Sequence, residues 1–119
     1  MIDVYMVMTL LILHFIGDFI LQTDKMALNK SKSVKWLTIH VVVYTIPFLL
    51  INWLYALING VLHWIVDYVT SRQAAMFHRK GQRSMFFKII GLDQLLHGII
   101  LIFTYYWMET NEYFIPWLF

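Results

Sequence analysis

The chain has 119 residues, of which 61% are hydrophobic, 18% aromatic and 13% charged. An ordinary soluble domain is about a quarter charged, and a domain this small leaves much of its surface wet, so the composition argues against a soluble monomer. Five Gly, two Pro and no Cys exclude a collagen-like fibre, a disulfide scaffold and thiol chemistry, and a formal charge of +2 gives no reason to expect a nucleic-acid partner.

In chain order, Val4 to Gln22 is nearly unbroken apolar sequence, interrupted by His14, Gly17 and Asp18. It has the length of a membrane-crossing helix. The front carries Asp3 rather than basic residues and the end carries Thr23-Asp24-Lys25, so it reads as a retained span and not as a removable signal peptide. The segment 23–35 is polar and basic and reads as a connector. From Val34 to Val69 the charged residues are Lys35 and Asp67, which is room for two spans joined by a tight turn near Leu50 to Trp53. A second basic stretch, 72–84, precedes a fourth span. The fold class is therefore all-α: a polytopic membrane protein, a four-transmembrane-helix bundle in one domain over 1–119. Its helices are placed at about 4–22, 36–50, 54–71 and 85–107, with basic cytoplasmic loops at 23–35 and 72–84. All nine Lys and Arg lie in those loops or at Lys88, while Asp3, Glu109 and Glu112 lie at the other ends. Basic residues stay in the cytoplasm, so both termini are expected outside, with the chain in a bacterial inner (plasma) membrane. Trp36, Trp53, Trp107 and Trp117 near the span ends read as interfacial anchors.

The polar residues inside these apolar segments carry the functional signal. His14 and Asp18, His63 and Asp67, and Asp93 and His97 are each four apart, so each pair shares a helix face. A given Asp has a His four away by chance roughly one time in twelve; three such pairs among five Asp exceed that. Counted from the cytoplasmic ends, Asp18, His40, Asp67 and Asp93 lie about four or five residues in, and His14, His63 and His97 about one turn deeper, ~6 Å. A carboxylate in a membrane helix is costly and normally faces the bundle interior. Three of them need His⁺, protons or a metal cation, and neutral imidazole with carboxylate is the usual ligand set of zinc and related divalent metals. A polar cluster that merely pins helices together is the plainer alternative. The chain has no Gly-rich phosphate loop, no G-x-S-x-G elbow and no H-E-x-x-H motif. Hydrolysis would then use a water activated by a metal, with Asp18 or Asp93 as base.

The segments His14-Phe-Ile-Gly-Asp18-Phe-Ile-Leu-Gln22, Asn29-Lys30, His40, His63-x3-Asp67 and Asp93-Gln94-x2-His97 resemble an uncharacterised bacterial and phage integral membrane family, domain of unknown function 3307. The resemblance spans the first helix to the fourth. It implies that the seven buried groups, with Gln22, Lys30 and Gln94, are that family's characteristic positions. Leu62 to Thr70 is also similar to membrane-bound metal-dependent hydrolases of the bacterial inner membrane, whose further G-H-R-G-x-T-H-S-like stretch this chain lacks.

The expected function is metal-dependent hydrolysis of a membrane-associated substrate, a lipid or lipid-linked phosphate. The metal, zinc by first choice, would be held within His14, Asp18, His40, His63, Asp67, Asp93 and His97. Asp18 and Asp93 are the catalytic candidates, and Gln22, Lys30 and Gln94 the candidates for substrate binding. Membrane lipids are the expected partners. A cation or proton transporter, which would favour a homo-oligomer, and a non-enzymatic membrane interaction protein are the other classes. Sparse polar residues in the outer half favour a one-sided site over a through path.

Overall fold

The computed structural model describes residues 3–111, and among them every regular element is helical. Glu112, Trp117 and the aromatic tail, which the sequence places outside the membrane, lie outside the described residues. Helix α1 (Val4–Phe15) starts at Asp3, whose side chain accepts from the Tyr5 backbone N–H. It runs directly into a wider π-helical turn, Ile16–Ile20, closed by Leu21 N–H donating to the Ile16 carbonyl at 2.9 Å. Short α2 (Asp24–Asn29) is capped by Thr23, and α3 (Val34–Thr45) by Ser33. Pro47 has no N–H to continue the α ladder, and α3 tightens there into a 3₁₀ turn, Ile46–Leu50. Asn52 Oδ1 then accepts from Leu54 and Tyr55 N–H to start α4 (Trp53–Arg79). Gly81, at φ 69°, ends α4 in a Schellman arrangement, with Gln82 N–H on the Phe77 carbonyl and Gly81 N–H on the His78 carbonyl. Helix α5 (Arg83–Thr110) follows at once and packs along α4.

These boundaries differ from the sequence reading in three places. The basic segment 72–84, expected as a loop, is mostly helix: nothing in Ser71 to Arg79 breaks a helix, and the turn waits for Lys80-Gly81-Gln82. The connector 23–35 contains α2. The first apolar segment stops being helical at Ile20, before Gln22. Of the four spans expected, α5 alone among the described residues is long and apolar enough by length and composition to cross a membrane. Val4–Ile20 and Val34–Leu50 are shorter, and the apolar run of α4 is interrupted by Asn59, His63 and Asp67.

The bundle is layered along its length. At one end Met6, Leu10, Phe48, Ile51, Tyr55, Leu101 and Met108 pack into an apolar core. Toward the other end the buried residues become polar: His14, Asp18, His40, His63, Asp67, Asp93 and His97 are all buried. The outer surface is apolar, with Phe15 53%, Leu57 56%, Leu95 58% and Phe103 65% exposed. Polar groups inside and aliphatic ones outside invert the usual arrangement.

Candidate metal centre

Close approach of helix backbones brings the polar residues together. Gly17, in the π turn, lies against α3, and a Cβ there would come within 2.9 Å of the Tyr44 carbonyl oxygen and 3.0 Å of its ring. That contact is with backbone and has little room to give. Gly17→Ala is expected to cost about 1–3 kcal/mol of stability, the usual range for overpacking, and to push Asp18 away from His40. Denaturation in detergent micelles beside the unchanged chain checks the value; an unaltered midpoint would mean that the helices separate freely here.

With Gly17 in place, four ligand-type atoms from three segments converge. His40 Nε2 of α3 lies 3.1 Å from Asp18 Oδ1, 3.2 Å from Asp67 Oδ2 and 3.2 Å from His63 Nε2. His63 Nε2 of α4 lies 3.6 Å from Asp18 Oδ1 and 3.3 Å from Asp67 Oδ2. Two imidazole nitrogens can place at most two protons among these atoms. Asp18 Oδ1, though close to His40, has no hydrogen-bond partner, and neither does Nδ1 of His40 or of His63. Ligands about 2.0–2.1 Å from a tetrahedral zinc ion stand about 3.3 Å apart. The distances among Asp18, His40, His63 and Asp67 fall around that edge length, and these residues fit a metal ion.

Adjoining them is a second group, Asp18, Asp93 and His97, which shares Asp18 with the first and whose ligand atoms lie within 4.8 Å of one another. His97 Nε2 lies 3.0 Å from Asp93 Oδ1 and 3.2 Å from Asp67 Oδ1. Asp67 thus turns one oxygen to each group. The rings are held by stacking, His63 lying between Tyr44 (centroids 3.7 Å apart) and His97 (3.9 Å).

His14 does not join either group. Gln94 Oε1 can only accept, so the 2.8 Å contact fixes the His14 proton on Nε2. His14 Nδ1 then accepts from Tyr44 O–H at 2.9 Å, and both ring nitrogens are occupied. Gln94 uses its amide N–H groups on Asp18 Oδ2 and Asp93 Oδ2, 3.1 Å each. The expected ligand His14 and the expected substrate contact Gln94 are therefore parts of one chain, Tyr44–His14–Gln94, that orients two carboxylates. Tyr44 was not singled out from sequence, and Thr70 reads there only as a weak nucleophile candidate a turn beyond Asp67; Thr70 Oγ1 donates to Asp93 Oδ1 at 2.5 Å. Their signal was present as helical spacing, Tyr44 four residues after His40 and Thr70 three after Asp67.

Lys30, at the end of α2, reaches in to donate to Asp67 Oδ2 at 3.0 Å. Burial disfavours charge on this ammonium, but Asp67 and Asp18 beside it outweigh burial and hold its pKa above the ordinary lysine value. A carboxylate oxygen has two lone pairs, so Asp67 Oδ2 can serve Lys30 and an ion together. Next to the cluster lies a cavity of about 560 Å³, with Asp18, Asp67, Asp93 and Gln94 on its floor and Lys32, His78 and Arg79 among its lining residues. Gln22 also lines it, and its Oε1 is buried without a partner. His78, exposed near the end of α4, belongs to that lining.

A family described as "Protein of unknown function (DUF3307)" matches residues 6–118. The chain belongs to that family. No curated protein and no solved structure gives a significant match. The match takes in both His/Asp groups and the cavity floor, and its description assigns them no activity.

Proposed function

We propose that this chain is an integral membrane protein whose buried His/Asp cluster holds a divalent metal ion, zinc by first choice, and that it hydrolyses a membrane-associated substrate, a lipid or lipid-linked phosphate. The observation that carries the metal is the set of five contacts of 3.1–3.6 Å among ligand atoms of Asp18, His40, His63 and Asp67, with at most two imidazole protons to share among them. Charge supports it: three buried carboxylates face one half-buried lysine, Lys30, and a single divalent ion beside neutral histidines brings the cluster to zero.

The inverted surface supports the membrane. Exposed aliphatic and aromatic side chains run along the outside of all four long segments, and a soluble monomer rarely exposes a contiguous apolar patch of more than a few hundred Å². The 17-residue segments Val4–Ile20 and Val34–Leu50 reach about 25 Å, the short end of the spanning range. Loops with Lys25, Lys30, Lys32, Lys35, Arg79, Lys80 and Arg83 then lie in the cytoplasm and both termini outside.

A bound ion would supply Lewis acidity and a more acidic water. Asp18 and Asp93 both line the cavity; an oxygen of either that does not hold the ion would take the proton of the attacking water and return it to the leaving alkoxide as the ester bond breaks. Gln22 offers an unengaged amide oxygen to the polar part of the substrate, and Lys30 offsets negative charge. The apolar core beyond the cluster, Leu10, Phe48, Tyr55 and Leu101, favours a one-sided site over an ion path.

Elemental analysis of detergent-purified protein beside His63→Ala tests the metal, and incubation with vesicles containing phosphorylated lipids tests the hydrolysis. Metal present in the unchanged chain and lost in the variant, with ion-dependent release of phosphate or headgroup, is expected. Absence of metal, with the variant merely less stable, would sink the reading in favour of structural packing.

A further inference from the structure

We infer that the cluster is a two-ion centre: a second divalent cation is held by Asp93 and His97, with Asp18 common to both ions. This rests on the metal reading above. The sequence offers seven candidate donors, and even without His14 six remain, more than a tetrahedral ion takes. The structure divides them rather than gathering them. Asp18, His40, His63 and Asp67 make a set of four, which closes a tetrahedral site; Asp18, Asp93 and His97 make a set of three. Four protein ligands are the pattern of closed sites, and three leave a position open.

Both sets reach the cavity through carboxylates: Asp18 and Asp67 of the first and Asp18 and Asp93 of the second line it, and none of His40, His63 and His97 does. With one protein ligand fewer, the second set is the one that leaves a position for an incoming molecule. Asp67 Oδ2 faces His40 and His63 while Asp67 Oδ1 faces His97 at 3.2 Å, so this carboxylate ligates in the first set and orients a histidine of the second. Gln94 and Thr70 fix Asp93 in place through both of its oxygens.

Charge then defines the ligand. One ion and Lys30 already neutralise the three carboxylates, so a second ion leaves the floor of the cavity positive. Lys32 and Arg79, which also line the cavity, have no ion-pair partner among the described residues. The molecule that completes the site is an anion, and a phosphate group supplies oxygens that can lie between paired ions about 3.5–4 Å apart.

The test uses the full chain in detergent, stripped with a chelator and reloaded with Mn²⁺ in the presence of inorganic phosphate. Elemental analysis gives the count, and electron paramagnetic resonance distinguishes a coupled pair from an isolated ion. Two Mn²⁺ per chain with a coupled signal are expected. Asp93→Asn and His97→Gln should each retain one and show the six-line spectrum of an isolated ion. A single ion in the unchanged chain, unaffected by either variant, would overturn the second site and leave the first standing. Loss of both ions in both variants would mean one undivided site and would also overturn it. No ion in the unchanged chain would remove the metal reading itself.

Discussion

Asp67→Ala is expected to destabilise the bundle by about 3–5 kcal/mol, the range for removing one partner from a buried charge pair, and to abolish metal binding. Asp67 is the carboxylate on which the cluster turns: Lys30, His40 and His63 meet Oδ2 at 3.0, 3.2 and 3.3 Å, and His97 meets Oδ1 at 3.2 Å. Its loss leaves the Lys30 ammonium without its nearest counter-charge and three imidazoles without the group that holds them. Chemical denaturation in micelles measures the cost, and elemental analysis measures the metal. A loss below about 1 kcal/mol, the scale of an exposed pair, would show that water already reaches Asp67 and that the cluster is not sealed.

The second large effect is that of the ion itself. At a free concentration one hundred times the dissociation constant, a ligand that binds only the folded state adds about 2.7 kcal/mol. Chelation at pH 8 should remove that increment. Imidazole ligands must be deprotonated to bind metal, and histidine ordinarily titrates near 6.5, so the increment should shrink with acid and be gone by about pH 5. Melting curves with and without chelator at the two pH values give the comparison. Identical curves at pH 8 would mean that no ion contributes to folding.

The helical class and the grouping of His and Asp were legible because both rest on short-range periodicity. Residues four apart share a face whatever the tertiary structure, and buried carboxylates need partners whatever the fold. What periodicity does not carry is which atom faces which. His14 shares its spacing with the ligands, yet Tyr44 and Gln94 occupy both of its nitrogens, an outcome set by groups 30 and 80 residues away. The length of α4 was misread for a different reason: a run of charge at 72–84 suggested a loop, but charge ends a membrane segment and not a helix, and the chain turns where Gly81 permits it. Lys30 reads from sequence as a partner for a substrate's charge; its contact with Asp67 is not legible there, because it depends on α2 bringing the connector to the cluster.

The π-helical turn at Ile16–Ile20 accommodates one residue more than a regular helix would. An α-helix turns about 100° per residue, and the wider turn takes up the extra residue within nearly the same rotation. Deleting Phe19 would therefore let this stretch wind as ordinary α-helix, with regular i to i−4 bonds, and leave α1, Gln22 and α2 facing much as they do. What the shorter chain would lose is the wide turn that carries Gly17 and Asp18, so the extra residue serves the placement of one carboxylate and not the course of the chain.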